Sequence, residues 1–191
     1  MIHVCDDLLD NEIQNQIADQ VLRGGLWKFS PTSCNMVYKG CDFIEDDSQF
    51  VCTYRDHNKE EIYFDYNPFQ EYAKKLFYSH SKVWRCKANM MIRKKLKLFE
   101  NKKKVNHPHV DLFRPHATMI YYIHDSDGDT VIYEEKHSGD NVPRYPKSLT
   151  EMERITPKKG RVVLFDGLHF HTSSTPRKKR FRSVINFNFV S

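Results

Sequence analysis

The spacing of hydrophobic residues changes character along the chain. In the N-terminal third it has a helical period. Leu9, Ile13, Ile17 and Val21 recur every fourth residue behind Asp10, and Gly24-Gly25 closes the pattern. Asp is a good N-cap because its carboxylate accepts an orphan backbone N–H, so a helix is predicted over about 10–23. A second helix is predicted from Asn67-Pro68, since proline suits the first helical position. Phe69, Tyr72, Ala73, Leu76 and Phe77 give it an apolar stripe. Between the two, Trp27 to Phe29 reads as a short strand, and residues 31–58 show no clear period beyond room for a hairpin.

After these helices the period falls to two. Trp84, Cys86, Ala88, Met90 and Ile92 share one face; Arg85, Lys87, Asn89, Met91 and Arg93 share the other. The apolar face is expected under the helices and the polar face in a cavity. Ala117 to Ile123 predicts a buried strand, followed by turn chemistry at residues 125–129 and a strand over Thr130–Glu134 that pairs back on it. Residues 136–150 form a polar loop. Pro157 to Gly160 turns into Arg161–Phe165, and Phe181 to Phe189 alternates again. Helices first and many short strands afterwards predict an α+β, mainly β fold. The N-terminal helices are expected on one face of a β-sandwich or a jelly roll, the latter in the form of a double-stranded β-helix with the helices packed on one sheet. A single domain over 1–191 is expected, with helical support over about 1–82 and the jelly-roll core over about 83–190.

Composition adds limits. A chain of 191 residues, 39% hydrophobic and 29% charged, is long enough for one substantial core and too ordered in composition for a disordered segment. No apolar run approaches a membrane span and no secretory signal is visible, so a soluble cytoplasmic protein is expected (in the host cytoplasm if phage-encoded). The five cysteines are an odd number without a C-x-x-C pair, which argues for reduced thiols; the spacing of Cys34, Cys41 and Cys52 matches no standard zinc pattern. The net charge of +5 is concentrated in basic runs at 93–104 and 177–182. Such runs form either solvated loops or a rim that attracts acidic groups.

The chemistry is concentrated at Asn106-His107-Pro108-His109-Val110-Asp111. His109 and Asp111, two apart on an extended backbone, point to the same side. A histidine from another strand would complete a 2-His-1-carboxylate site that leaves metal positions open. H-x-D alone is a weak signal in a chain with ten histidines. Its context is stronger: Gly160-Arg161-x-x-x-Phe165 follows, then His171, then Arg182 eleven residues later at the head of Arg182-Ser183-Val184-Ile185-Asn186.

This order resembles the 2-oxoglutarate/Fe(II)-dependent oxygenase superfamily, and within it the prolyl-hydroxylase-like branch of small bacterial and phage proteins. Ile120-Tyr121-Tyr122-Ile123 is similar to the branch's I-Y-Y-L, and Asp127-Gly128-Asp129-Thr130 to its G-G-x-T. The resemblance covers about 83–190. It implies that His109, Asp111 and His171 bind Fe(II), and that Arg182 and Tyr122 hold the distal carboxylate of 2-oxoglutarate. It also implies O2 as co-substrate, with ascorbate as a reductant. His171 is preferred over His169 for its distance from Arg182, and Arg182 over Arg180 because Asn186 follows four residues on. His107, His116, His124 and His137 are read as surface or structural residues.

The activity implied is hydroxylation of an aliphatic C–H on a peptide or amino-acid side chain, proline by resemblance, with release of succinate and CO2. Two rivals stand beside it. One is a nucleic-acid dealkylase or base hydroxylase, favoured by the basic runs but opposed by Asn188, which stands where the alkylation-repair branch has a second Arg. The other is a non-catalytic jelly-roll metal-binding module. The expected partner is a peptide, protein or small-molecule substrate, with no membrane; nucleic acid ranks below these. Specificity is expected in loops 31–58, 94–107 and 136–150, and residues 93–107 are read as a charged lid.

Overall fold

A computed structural model of the chain describes residues 1–34, 38, 46–56, 59–60, 64–77, 81–93 and 105–191. The elements run β1 (Ile2–Cys5), α1 (Asn11–Gly24), β2 (Lys28–Ser30), β3 (Gln49–Asp56), β4 (Lys59–Glu60), α2 (Asn67–Leu76) and β5 (Lys82–Ile92). They continue β6 (Ala117–Tyr122), β7 (Thr130–Lys136), β8 (Glu151–Ile155), β9 (Val162–Asp166), β10 (His169–Ser173) and β11 (Phe181–Val190). An eight-stranded antiparallel sheet has the order β1-β9-β6-β11-β5-β3-β2, with β4 beside β3; a three-stranded sheet has the order β10-β7-β8. This is the mainly β jelly roll with two helices that the hydrophobic pattern predicts.

Both helices form for the reasons read from sequence. Asp10 caps α1 by accepting the Ile13 N–H at 2.9 Å, and α2 carries proline in its first turn. The buried stripe of α1 differs in one position. Gln14, Ile17 and Val21 face inward, whereas Ile13 is 39% exposed. A strict four-residue repeat drifts around a helix of 3.6 residues per turn, and the 14-17-21 spacing follows the face more closely. Gln14 is accommodated because its amide donates to the Leu9 carbonyl at 2.9 Å. It sits over Gly160, whose φ of +78° and absent Cβ leave room for it: a Cβ there would lie 2.4 Å from the Gln14 amide nitrogen.

The helices cover the outer face of the large sheet. Ile17, Val21, Phe69 and Ala73 join Ala88, Tyr121, Ile185 and Phe187 in one apolar cluster, with the Phe69 and Phe187 rings stacked at 4.8 Å. A second cluster, including Ile120, Val163, Phe165 and Val184, lies between the sheets against Ile132 and Ile155. β6 is buried along its whole length because both clusters use it, one on each face.

The readings of two strands, β7 and β5, are corrected. Thr130–Glu134 does not pair back on Ala117–Ile123; β7 crosses to the small sheet, between β10 and β8. In β5, Trp84 leaves the apolar face. A bulge opposite Asn188/Phe189 places Val83 there instead, and Trp84 stacks under the Arg114 guanidinium at 3.8 Å. Ile92, at the strand's end, is 55% exposed. The stretch without clear period holds β3, a full member of the large sheet. In the loop 136–150, Tyr145 and Leu149 pack on Val131, Tyr133 and Phe170, on the side of the small sheet turned away from Ile132. Most of the lid segment, residues 94–104, lies outside the described residues.

Candidate metal centre

The centre begins with a backbone pairing. His109 and His171 form an antiparallel bridge in which each N–H donates to the other's carbonyl at 2.9 Å. Residues directly opposite in such a pair project to one face, and their imidazole centroids stand 5.0 Å apart. Asp111, two residues beyond His109, adds its carboxylate to the same face. One ligand atom from each of His109, Asp111 and His171 lies within 4.8 Å of the other two. Asn106 pins the approach to this pairing: its carbonyl accepts the Thr172 hydroxyl at 2.7 Å, and its amide donates to the Ser173 carbonyl at 3.0 Å.

The protonation pattern of both rings suits a cation. His109 Nδ1 lies 3.0 Å from the His107 carbonyl and His171 Nδ1 lies 3.1 Å from the His169 carbonyl. A carbonyl only accepts, so Nδ1 carries the proton and Nε2 presents its lone pair. Burial lowers the pKa of His109 and so favours the neutral ring. His171 Nε2 is buried with no hydrogen-bond partner among the described residues and faces Asp111 Oδ2 at 3.5 Å, an arrangement that a metal ion between them would satisfy.

Asp111 is 2% exposed and held at both oxygens. Arg85 Nη2 donates to Oδ1 at 2.6 Å; Asn186 and Asn188 donate to Oδ2 at 3.0 and 2.9 Å. Arg85 also donates to Asn188 Oδ1 at 2.9 Å, which closes the ring of contacts. Burial raises the carboxyl's pKa, but the neighbouring Arg85 charge outweighs it and holds Asp111 well below the usual carboxylate range. The group is thus an anion of fixed orientation.

Further along the same inner face lies a second constellation. Arg182 is 4% exposed and donates to the Gly128 carbonyl at 2.7 Å and to the Thr130 hydroxyl at 2.8 Å. Tyr122 donates to the same Thr130 oxygen at 2.6 Å. Arg182 makes no ion pair with a carboxylate among the described residues, and its burial lowers its pKa. Gly128 permits this packing, because a Cβ there would lie 2.5 Å from the Ser174 carbonyl oxygen and 2.9 Å from Arg182 Cδ. A narrow cavity bordered by Thr130 and Arg182 runs to His109 and His171.

The structure therefore gathers the five residues singled out in the sequence into two groups, His109, Asp111 and His171 in one and Arg182 and Tyr122 around Thr130 in the other, with His109, His171 and Arg182 lining one cavity. It sets the competitors apart. His169 gives its Nδ1 to the Tyr133 carbonyl at 2.7 Å, and Arg180 is exposed. His116, His124 and His137 each bond a backbone carbonyl through a ring nitrogen, and His107 packs beside Tyr38 and Tyr145. Cys34 and Cys52 form no disulfide among the described residues, and Cys41 lies outside them. Sequence reasoning missed Arg85 and Asn188 as partners of Asp111, and it gave Thr130 no role although it lies in the G-G-x-T-like segment.

Residues 96–190 match the model of the 2OG-Fe(II) oxygenase superfamily. That segment belongs to the superfamily. Its members use Fe(II), 2-oxoglutarate and O2, and the donor set and the orphaned His171 Nε2 fit the metal. No curated protein matches the sequence. Solved structures share the fold. A 2OG-Fe(II) oxygenase-family oxidoreductase from Burkholderia pseudomallei aligns with a TM-score of 0.64 at 10% identity, over 98% of this chain and 84% of that one. The non-heme alpha ketoglutarate dependent epimerase SnoN of nogalamycin biosynthesis gives 0.66 at 11%, over 100% and 78%. The viral collagen prolyl hydroxylase of Paramecium Bursaria Chlorella virus-1, a 2OG complex, gives 0.54 at 14%, over 100% and 96%.

Proposed function

We propose that the protein is an Fe(II)- and 2-oxoglutarate-dependent dioxygenase that hydroxylates an aliphatic C–H on a peptide or amino-acid side chain, releasing succinate and CO2. One observation carries this reading: the two histidines of a His-Asp-His donor set line the same cavity as a buried arginine that makes no ion pair with a carboxylate among the described residues. Proline as the substrate side chain rests on the resemblance of the Ile120–Ile123 and Asp127–Thr130 segments to prolyl hydroxylases.

His109, Asp111 and His171 would hold the iron. When bound, the iron couples the oxidative decarboxylation of 2-oxoglutarate by O2 to hydroxylation of the substrate. The chain's own residues prepare that step. Arg85, Asn186 and Asn188 keep Asp111 ionised and aimed, as residues around metal ligands commonly do. Arg182 would receive the distal carboxylate of 2-oxoglutarate; a guanidinium presents paired donors that match a carboxylate. Tyr122 would add its hydroxyl to the same group, turning from Thr130. Ile120 and Val184 line the cavity between the two ends and limit water near the reacting atoms.

The test is succinate formation from 2-oxoglutarate with Fe(II), with and without candidate peptides and amino acids. Succinate release that depends on both metal and 2-oxoglutarate supports the reading. Tight binding of both with no turnover under any condition would leave a metal-binding module.

A further inference from the structure

The large sheet is wider than the small sheet facing it. Its inner face beneath β6, β9 and part of β11 is closed by the apolar cluster around Ile120 and Val163. Beyond β11 the same face continues over β5, β3 and β2 with polar residues. Register pairs Arg85 with Asp56, Lys87 with Thr53 and Asn89 with Val51, and Val51 in turn with Lys28. Paired residues share a face. This overhang starts at the metal centre: a cavity of roughly 240 Å³ is bordered by His109 and Asp111 on one side and by Thr53, Asp56 and Lys87 on the other. A second hollow, edged by Lys28, Val51, Thr53 and Asp56, continues it toward the sheet edge.

The charges on this strip are unevenly engaged. Arg85 is held by Asp111 at 2.6 Å. Lys87 makes no hydrogen bond or ion pair with any described residue, although burial pushes its amine down to about 8. Asp56, opposite Arg85 in register, likewise makes no ion pair among the described residues, because Arg85 is turned to the metal centre. One half-buried cation and one exposed carboxylate, neither in an ion pair among the described residues, therefore border a single small cavity beside the donor set. An ammonium taken from water without a partner gains most from an anion delivered to it. The cavity is below the range of roughly 300–1,000 Å³ usual for drug-sized ligands, so it suits a small polar molecule.

We propose that the primary substrate is a free amino acid lying on this overhang, its carboxylate paired with Lys87 and its ammonium turned to Asp56. Lys87 is then the specificity-determining residue of the site. The inference rests on the oxygenase reading and narrows its substrate class from peptides to single amino acids. Arg182 takes the carboxylate of the co-substrate at the far end of the inner face; Lys87 takes that of the substrate at the near end.

The test offers each of the twenty free L-amino acids in turn to the Fe(II)-loaded full chain with 2-oxoglutarate and reads succinate release. The best substrate is then compared with its carboxamide, which keeps the ammonium and side chain and removes the anion. In the parent the acid should be preferred by about 30-fold or more, the usual scale for truncating one partner of a buried charge pair. In Lys87→Met that preference should fall to near one, and Lys87→Arg should restore part of it. A purely structural role for Lys87 would change both substrates alike and leave the ratio standing. If Lys87→Met does not fold, the acid-to-amide ratio of the parent still decides. Equal use of acid and amide overturns the proposal, as does stimulation by none of the twenty while 2-oxoglutarate is consumed unaided. Absence of both unaided consumption and 2-oxoglutarate binding would overturn the oxygenase reading itself.

Discussion

The two halves of the large sheet have the same backbone and different inner faces. Under the small sheet, β6, β9 and β11 present Ile120, Val163, Phe165 and Val184, all buried. Past β11, β5 and β3 present Arg85, Lys87, Asn89, Thr53 and Asp56 in register on that same face. The closed half holds the fold together; the open half is free to carry charge. His109, Asp111 and His171 stand at the junction, where buried apolar walls give way to polar ones. A metal centre there has dry, rigid support on one side and access on the other.

That division predicts where substitutions act. The largest effect is expected at the junction. His171→Ala or Asp111→Ala should abolish stoichiometric Fe(II) binding, read by metal analysis after dialysis, while His169→Ala keeps it. Retention in His171→Ala with loss in His169→Ala would reassign the ligand. Next come two changes of about 3–5 kcal/mol with opposite signatures. Arg182→Ala should weaken 2-oxoglutarate by that amount, the cost of unpairing a buried charge, and leave iron binding near the parent's. Phe187→Ala, in the closed half's outer core, should cost the same in folding stability by denaturant titration. Tyr122→Phe should weaken 2-oxoglutarate less, by about 1.5–3 kcal/mol. Arg85→Met should lower iron affinity by about 10–100-fold, because it orients a ligand without being one. The smallest effect is expected at Thr53→Ala on the open strip, within about 0.5 kcal/mol of the parent in stability. A large loss there would mean that the overhang is part of the core.

The sequence was most legible where chemistry depends on short spacing. His109-x-Asp111 needs only an extended backbone to converge, and Asp10 needs only its own helix. Arg182 was legible from its place in an ordered series of motifs. Arg85 was not, because it meets Asp111 26 residues away through a register set by β5 and β11. Asn188 read as an absent arginine, whereas in the structure its amide holds the metal-site carboxylate. β8 went unseen because it is mostly exposed and lacks an alternating apolar face. β3 was hidden by a bulge at Thr53/Arg55 that breaks its period. The partner of β7 was misread because no local pattern distinguishes a hairpin from a crossing to the other sheet. The bulge that moves Trp84 out of the core is of the same kind, since only the partner strand reveals it.

The central claim is that one cavity holds a metal on His109, Asp111 and His171 and 2-oxoglutarate on Arg182. Anaerobic calorimetric titration of 2-oxoglutarate into the parent, with and without Fe(II), and into Arg182→Ala with Fe(II), tests it most directly. The account predicts one binding site per chain, tightened by the metal and weakened more than about 100-fold in Arg182→Ala. Binding that ignores the metal, or that survives unchanged in Arg182→Ala, would contradict it.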